Sequence, residues 1–348
     1  MLHIGTVSLY ARDLLVVIDT SSVVPVLRGI KYILRGLFAK GASHRRWGVP
    51  WWIDFYLRFT VAGLMGKSVR LEASTLCRLQ CPLCIHGDDG MEWLGRGYLK
   101  FRDFKTFVDL HPGYRYIELS NYGEIFMNPE LKDIIEYANH KKIGLLALNG
   151  VHFNEVREEM MECMVKNGFK AMTVSIDGAS EETYQTYRRG GRLKTVIENI
   201  ERLNEIKRKY GSQYPVLYWQ FVVFAHNEHE LADARHMARR LNMYFIPQCN
   251  WSPSYAPRTG TTDIGIVPQT LPCHQLWISP QINWDGRLLG CCVNHWDDYG
   301  NVFESGLERL LGSPKYRLAK KMFNHPGISD VGIPCDRCLG RRQRAVQK

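Results

Sequence analysis

From Ser68 onward, apolar residues fall into short dense runs, separated by longer stretches in which they recur every three or four positions. The runs "VRLEAS", "YRYIELS", "IGLLALN", "AMTVSID", "VLYWQFVVF" and "YFIPQ" each predict a strand. Helical spacing over Asn128 to His140, Glu155 to Asn167, Leu193 to Lys209 and Glu228 to Leu241 predicts helices between most of them. Strands alternating with helices predict an α/β fold with a parallel sheet of right-handed βαβ units. Six units approach a barrel but fall short of the eight that close one. Residues 68–251 are therefore expected to form a partial (β/α)6 barrel. From about Ser252 the rhythm fails, and residues 252–348 are set apart as a smaller C-terminal domain.

Residues 1–67 lack the alternation and predict a mostly helical extension. Val23, Val26, Leu27, Ile30, Ile33, Leu34, Leu37 and Phe38 share one helical face, and Arg28, Lys31 and Arg35 lie on another. The uncharged runs are too short to span a bilayer. Two readings stay open: a clasp packed on the main domain, or an interfacial helix on an anionic membrane, anchored by Trp47, Trp51 and Trp52.

Composition narrows the class. The chain has 348 residues, 45% hydrophobic and 23% charged, which suits a globular protein with a sizeable core. Its formal charge of +10 favours acidic partners without choosing among phosphates, nucleic acid and anionic lipid. Ten cysteines form one tight triplet and one late group, a metal-site distribution rather than a disulfide framework. With no signal peptide in view, a reducing cytoplasm is expected, with a peripheral place on the inner face of the membrane if the extension is interfacial.

The triplet lies in "STLCRLQCPLCIHG", where Cys77, Cys81 and Cys84 have the spacing C-x3-C-x2-C with no fourth cysteine nearby. Four thiolates complete a structural zinc site or an ordinary iron–sulfur cluster. Three on a four-iron cubane leave one iron open to an outside molecule. The triplet directly follows the first predicted strand, where parallel α/β folds carry their reactive loops. In this spacing and place the sequence resembles the radical S-adenosylmethionine (SAM) superfamily.

Later strand ends carry further motifs of that superfamily. In "SNYGEIFMNPEL", Gly123 and Glu124 match a GGE-like motif at the SAM amino group, with Tyr122 in place of the usual first glycine. Asn149 of "LNG" falls near the expected cofactor wall. Ser175 and Asp177 of "VSIDGAS" resemble an S-x-D-G element whose serine contacts SAM. Arg188 of "YRRGG" matches an arginine that pairs with the SAM carboxylate, a task suited to a planar guanidinium. Leu83 departs from the pattern, since an aromatic residue often stands before the third cysteine. Taken singly, Gly and Asn end many strands and surface arginines are common; their order at successive strand ends carries the resemblance. It implies SAM as cosubstrate, a [4Fe–4S] cluster on Cys77, Cys81 and Cys84, and a reducing flavodoxin or ferredoxin as partner. The implied chemistry is reductive cleavage of SAM to a 5′-deoxyadenosyl radical that abstracts hydrogen from a substrate.

The late cysteines extend the resemblance. Cys273, Gly286 and Cys291 follow C-x12-G-x4-C, and Cys335 and Cys338 form "CDRC" near the end. This is similar to the SPASM and Twitch extensions of the superfamily. Four ligands imply the one-cluster Twitch type, with an auxiliary [4Fe–4S] cluster and spacing similar to the 2-deoxy-scyllo-inosamine dehydrogenases. A structural zinc site is the competing reading of the four thiols. Of the adjacent Cys291 and Cys292, the count selects Cys291.

Three cysteines remain. Cys163 has core spacing on a helix. Cys249 and Cys292 are candidate hydrogen donors to a substrate radical, with a buried bystander as the plain alternative. His295, Asp297 and Asp298 in "NHWDD" are candidate acid–base groups or solvated loop residues.

The expected function is dehydrogenation of a carbohydrate, glycan or lipid head-group alcohol, with the auxiliary cluster accepting an electron. The alternatives are a radical epimerase with a cysteine donor and a peptide-modifying enzyme. Many peptide modifiers carry a compact winged leader-binding domain, whose pattern residues 1–67 lack. From another class comes an iron–sulfur or zinc protein that binds nucleic acid through its charge. That reading leaves the ordered strand-end motifs unexplained, so no nucleic-acid partner is expected.

Overall fold

The computed structural model describes residues 68–87, 90–250, 275–324, 327–328 and 331–338. The N-terminal extension and Cys273 lie outside them, as does the side chain of Cys249. Six strands appear where the apolar runs predict them: β1 (Ser68–Leu71), β2 (Tyr116–Glu118), β3 (Gly144–Val151), β4 (Ala171–Ser175), β5 (Val216–Val223) and β6 (Tyr244–Cys249). All pair in parallel with their sequence neighbours, as βαβ units require.

A seventh strand extends the expectation of six. β7 (Gln281–Ile282) pairs parallel to β1, with Arg70 opposite Gln281 and Leu71 opposite Ile282, so the sheet order is β6-β5-β4-β3-β2-β1-β7. Two residues are too few to show a period. The C-terminal region is thus joined to the barrel through the sheet itself.

The connecting helices are α1 (Phe101–Leu110), α2 (Leu131–His140), α3 (Glu158–Lys166), α4 (Glu181–Tyr187), α5 (Leu193–Lys209) and α6 (Leu231–Arg240), and α7 (Pro314–Asn324) follows in the C-terminal region. The longest, α5, buries Val196, Ile200, Leu203 and Ile206 on one face and ends in Lys207, Arg208 and Lys209, which complement its C-terminal dipole. No helix of the described residues is long and apolar enough to cross a membrane.

One irregularity shapes the barrel mouth. The register of β3 against β4 shifts between Ala147 and Val151, which frees backbone groups that must find other partners. The buried carboxylate of Glu118 accepts from Leu148 N at 2.9 Å and from Ser120 Oγ at 2.6 Å. Asn149 N in turn donates to Ser120 Oγ at 3.1 Å. Gly150 lies at φ +124°, and a Cβ there would meet Ser175 Oγ at 2.4 Å. The bulge therefore brings Asn149 and Gly150 against the end of β4.

Candidate active site

The cysteine loop follows β1 and is held by the loop after β2. A Cβ on Gly123 would lie 2.3 Å from Ser74 O and 2.8 Å from Leu76 O. Only glycine lets the two loops lie this close, and Glu124 N then donates to Leu76 O at 2.8 Å. Within the loop, Cys84 N donates to Cys81 O at 3.0 Å, and Gln80 N reaches Arg189 O at 2.9 Å. Cys81 is buried, and Cys77, Leu83 and Cys84 pack with it against Leu79, Tyr187, Val222 and Phe224. Leu83 thus takes an apolar place beside the cysteines. Burial pushes the Cys77 thiol up to about 12 and raises that of Cys81, where Arg188 opposes the rise. Thiols this desolvated ligate as thiolates only when a metal's charge compensates them. Three soft donors in one apolar wall, with a guanidinium alongside, fit an iron–sulfur cluster.

That guanidinium belongs to Arg188, just past α4. Its Nε donates to Asp177 Oδ2 at 2.6 Å, and its Nη1 lies 3.8 Å from Cys81 Sγ. Asp177 is fully buried, and its other oxygen accepts from Val222 N at 2.7 Å. Asn227 Nδ2 locks the same corner by donating to Asp177 O and Val222 O, at 3.1 Å and 2.9 Å. Asp177 therefore positions Arg188. Glu124, also buried, accepts from His152 N at 2.6 Å through Oε2, and its charge bears on Cys77.

Beyond these groups the barrel mouth meets the C-terminal region. Asn149 Nδ2 donates to Asn121 Oδ1 at 2.5 Å, and Asn121 Nδ2 donates to Cys292 O at 3.1 Å. Tyr122, which stands where the motif usually has glycine, donates its hydroxyl to Asn294 O at 2.8 Å. Its carbonyl lies 2.8 Å from His86 Nε2, two residues past Cys84. Its N–H donates to Glu72 Oε1 at 3.0 Å, and Gly123 N reaches the same oxygen at 3.3 Å.

Glu72 is wholly buried, and burial outweighs these N–H donors to push its carboxyl up from 4.5 to about 8. Across that window the unfolded chain has released a proton that the folded chain keeps, so stability falls as pH rises. The loss is up to about 1.4 kcal/mol per pH unit. Denaturant midpoints between about pH 5.5 and about pH 8 should fall more for the wild type than for Glu72→Gln. Equal falls would mean that Glu72 is ionised in the fold.

In the C-terminal region, Gln275 clamps Cys292. Its Oε1 accepts from Cys292 N at 2.7 Å, and its Nε2 donates to Cys292 Sγ at 3.2 Å. Tyr299 OH lies 3.3 Å from Cys335 Sγ, and burial first, then Cys335, push its phenol well up. The structure thus brings Cys335 and the glycine before Cys291 to one side chain, with Cys338 N bonded back to Cys335 O at 3.3 Å. Trp296 Nε1 ties the two cysteine segments by donating to Pro334 O at 2.9 Å. Asp297 pairs with Lys315 at 3.3 Å, Asp298 Oδ1 accepts from Gly300 N at 2.8 Å, and His295 Nδ1 lies 3.0 Å from Val293 O. Cys163 is buried on α3. Glu72, Asn121, Gln275 and Tyr299 escaped the sequence reading. The one available signal was an acidic residue inside the apolar run "VRLEAS".

Residues 71–236 match the radical SAM superfamily, and residues 273–339 match the SPASM iron–sulfur cluster-binding domain. The chain carries a radical SAM domain followed by an SPASM iron–sulfur domain. Those domains imply SAM and [4Fe–4S] clusters, auxiliary sites included. A GTP 3′,8-cyclase of Listeria welshimeri is 20% identical over 213 residues, covering 56% of this chain and 60% of the relative. A probable GTP 3′,8-cyclase of Archaeoglobus fulgidus is 24% identical over 147 residues, covering 41% and 47%. The chain thus spans about half of the curated relatives it matches. The crystal structure of Streptococcus suis SuiB bound to S-adenosylmethionine has a TM-score of 0.59 at 13% identity, covering 84% of this chain and 77% of that one. It shares the fold.

Proposed function

We propose that this radical SAM enzyme dehydrogenates an alcohol carbon of a carbohydrate, glycan or lipid head group, with its auxiliary cluster as electron acceptor. The observation that carries this reading is the seating of the auxiliary loop on the barrel mouth. Asn121 holds the Cys292 carbonyl and Tyr122 holds that of Asn294, from the loop that also carries Gly123 and Glu124. An acceptor held there would lie beside the barrel mouth that Gly123 and Glu124 line.

With SAM bound, the three-cysteine cluster supplies reductive cleavage to methionine and a 5′-deoxyadenosyl radical, using one electron from a flavodoxin or ferredoxin. The substrate gives up a hydrogen atom, then a proton and one electron, so a carbonyl forms and the electron that entered is matched by one that leaves. Cys77, Cys81 and Cys84 would hold the first cluster; Cys273, Cys291, Cys335 and Cys338 would hold the other. Glu124, Asn149, Ser175 and Arg188 receive SAM, with Asp177 fixing Arg188 and Gly123 admitting the close approach of the loops. His295 is the base candidate on the auxiliary loop, because Asp297 is engaged by Lys315.

Two other outcomes have their own support. Cys292 is fixed by Gln275 and Asn121 and offers a thiol to a radical epimerase, and Cys249, which ends β6, is the second candidate donor. A peptide substrate draws on SuiB, which was also solved bound to its precursor peptide. Anaerobic turnover with dithionite and SAM should release 5′-deoxyadenosine. In deuterated water, a dehydrogenase gives oxidised product without deuterium at the attacked carbon, and Cys249→Ala and Cys292→Ala retain turnover. Solvent deuterium at that carbon, lost with turnover in either variant, would establish the epimerase instead.

A further inference from the structure

Tyr299 is built into the auxiliary site from three directions. Its backbone is fixed between strand-like segments: Tyr299 N donates to Leu288 O, and Leu288 N to Gly300 O, each at 2.8 Å. Its ring meets that of Tyr316 edge-on at 4.9 Å, and Tyr316 is itself anchored through its hydroxyl to Leu276 O at 2.9 Å. Its third wall is Gly290, the residue immediately before Cys291. Gly290 lies at φ +81°, and a Cβ there would come within 2.8 Å of Tyr299 Cε2. The glycine makes the space that the ring fills. With the ring so confined and only 5% exposed, its hydroxyl is delivered to Cys335 Sγ at 3.3 Å.

A phenol O–H is a donor, and a metal-bound thiolate is an acceptor carrying negative charge. A hydrogen bond to cluster sulfur favours the more negative, reduced state and so raises the reduction potential. We propose that Tyr299 is a positioning residue that sets the potential of the auxiliary cluster through an O–H···S bond to Cys335, making that cluster a better electron acceptor. The inference rests on Cys335 being a ligand of that cluster.

The test is an EPR-monitored redox titration of the reconstituted full chain. Tyr299→Phe keeps the ring and removes the donor, so it should retain auxiliary iron and lower that cluster's midpoint potential. A shift of about tenfold in the reduction equilibrium corresponds to about 59 mV for one electron, and the SAM-binding cluster should not move. Replacing Tyr299 by 3,5-difluorotyrosine gives a stronger donor of nearly the same shape and should raise the potential. An unmoved auxiliary potential in Tyr299→Phe with full iron overturns the inference. If the phenylalanine variant loses auxiliary iron, the fluorinated protein decides, and an unchanged or lowered potential there overturns it equally. Cys335→Ala separates the underlying assignment: full auxiliary iron in that variant would remove Cys335 from the ligand set, whatever Tyr299 does.

Discussion

Replacing Cys77, Cys81 and Cys84 together by alanine should abolish SAM cleavage and leave about four irons per chain, against about eight in the wild type. The three thiols share one apolar wall with Tyr187 and Phe224, whereas Tyr299 meets Cys335 and the glycine before Cys291 in the C-terminal region. No described cysteine belongs to both groups. Iron determination and 5′-deoxyadenosine release read the two sites separately. Loss of all iron in the triple variant would show that the auxiliary cluster does not assemble independently.

Arg188→Ala should be the most damaging single substitution in the barrel mouth. It leaves Asp177 wholly buried without its cation, and breaking a buried pair by removing one partner costs about 3–5 kcal/mol. It also removes the guanidinium beside Cys81 that we propose meets the SAM carboxylate. Arg188→Lys restores a charge for Asp177 but not a planar fork, so it should recover much of the stability and little of the SAM affinity. Denaturant unfolding and equilibrium dialysis with SAM distinguish the two. A loss under about 1 kcal/mol in Arg188→Ala would mean that Asp177 is sustained by Val222 N alone.

The barrel was legible because its strands are short dense apolar runs, and because α5 repeats its apolar residues over many turns. Legibility failed where partners rather than periods decide. α1 buries only Phe104, Phe107 and Val108 among charged neighbours, and its stripe is too narrow to stand out. β7 is a strand only because β1 offers an edge. The site divides in the same way. Cysteine spacing and the strand-end motifs speak through residue type at fixed intervals. Asn121, Gln275 and Tyr299 act through contacts between distant segments, and Asn121 and Cys292 stand 171 positions apart. Tyr122 was noticed only as a departure from a motif. Its long reach to Asn294 has no trace in one dimension.

The pairing of β7 with β1 also bears on how the chain comes into being. β1 opens the barrel, yet its outer neighbour arrives late: Ser68 Oγ bonds Ile278 O across 210 positions, and Glu72 N bonds Ile282 O. Until that segment is synthesised, β1 has no neighbour on that side among the described residues, and such an edge can recruit a strand from another molecule. Contacts of such separation form slowly, because the loop must close before they reward it. A nascent chain stalled near residue 251 should therefore be sticky, and it should become well behaved only once the auxiliary segment has docked on the sheet.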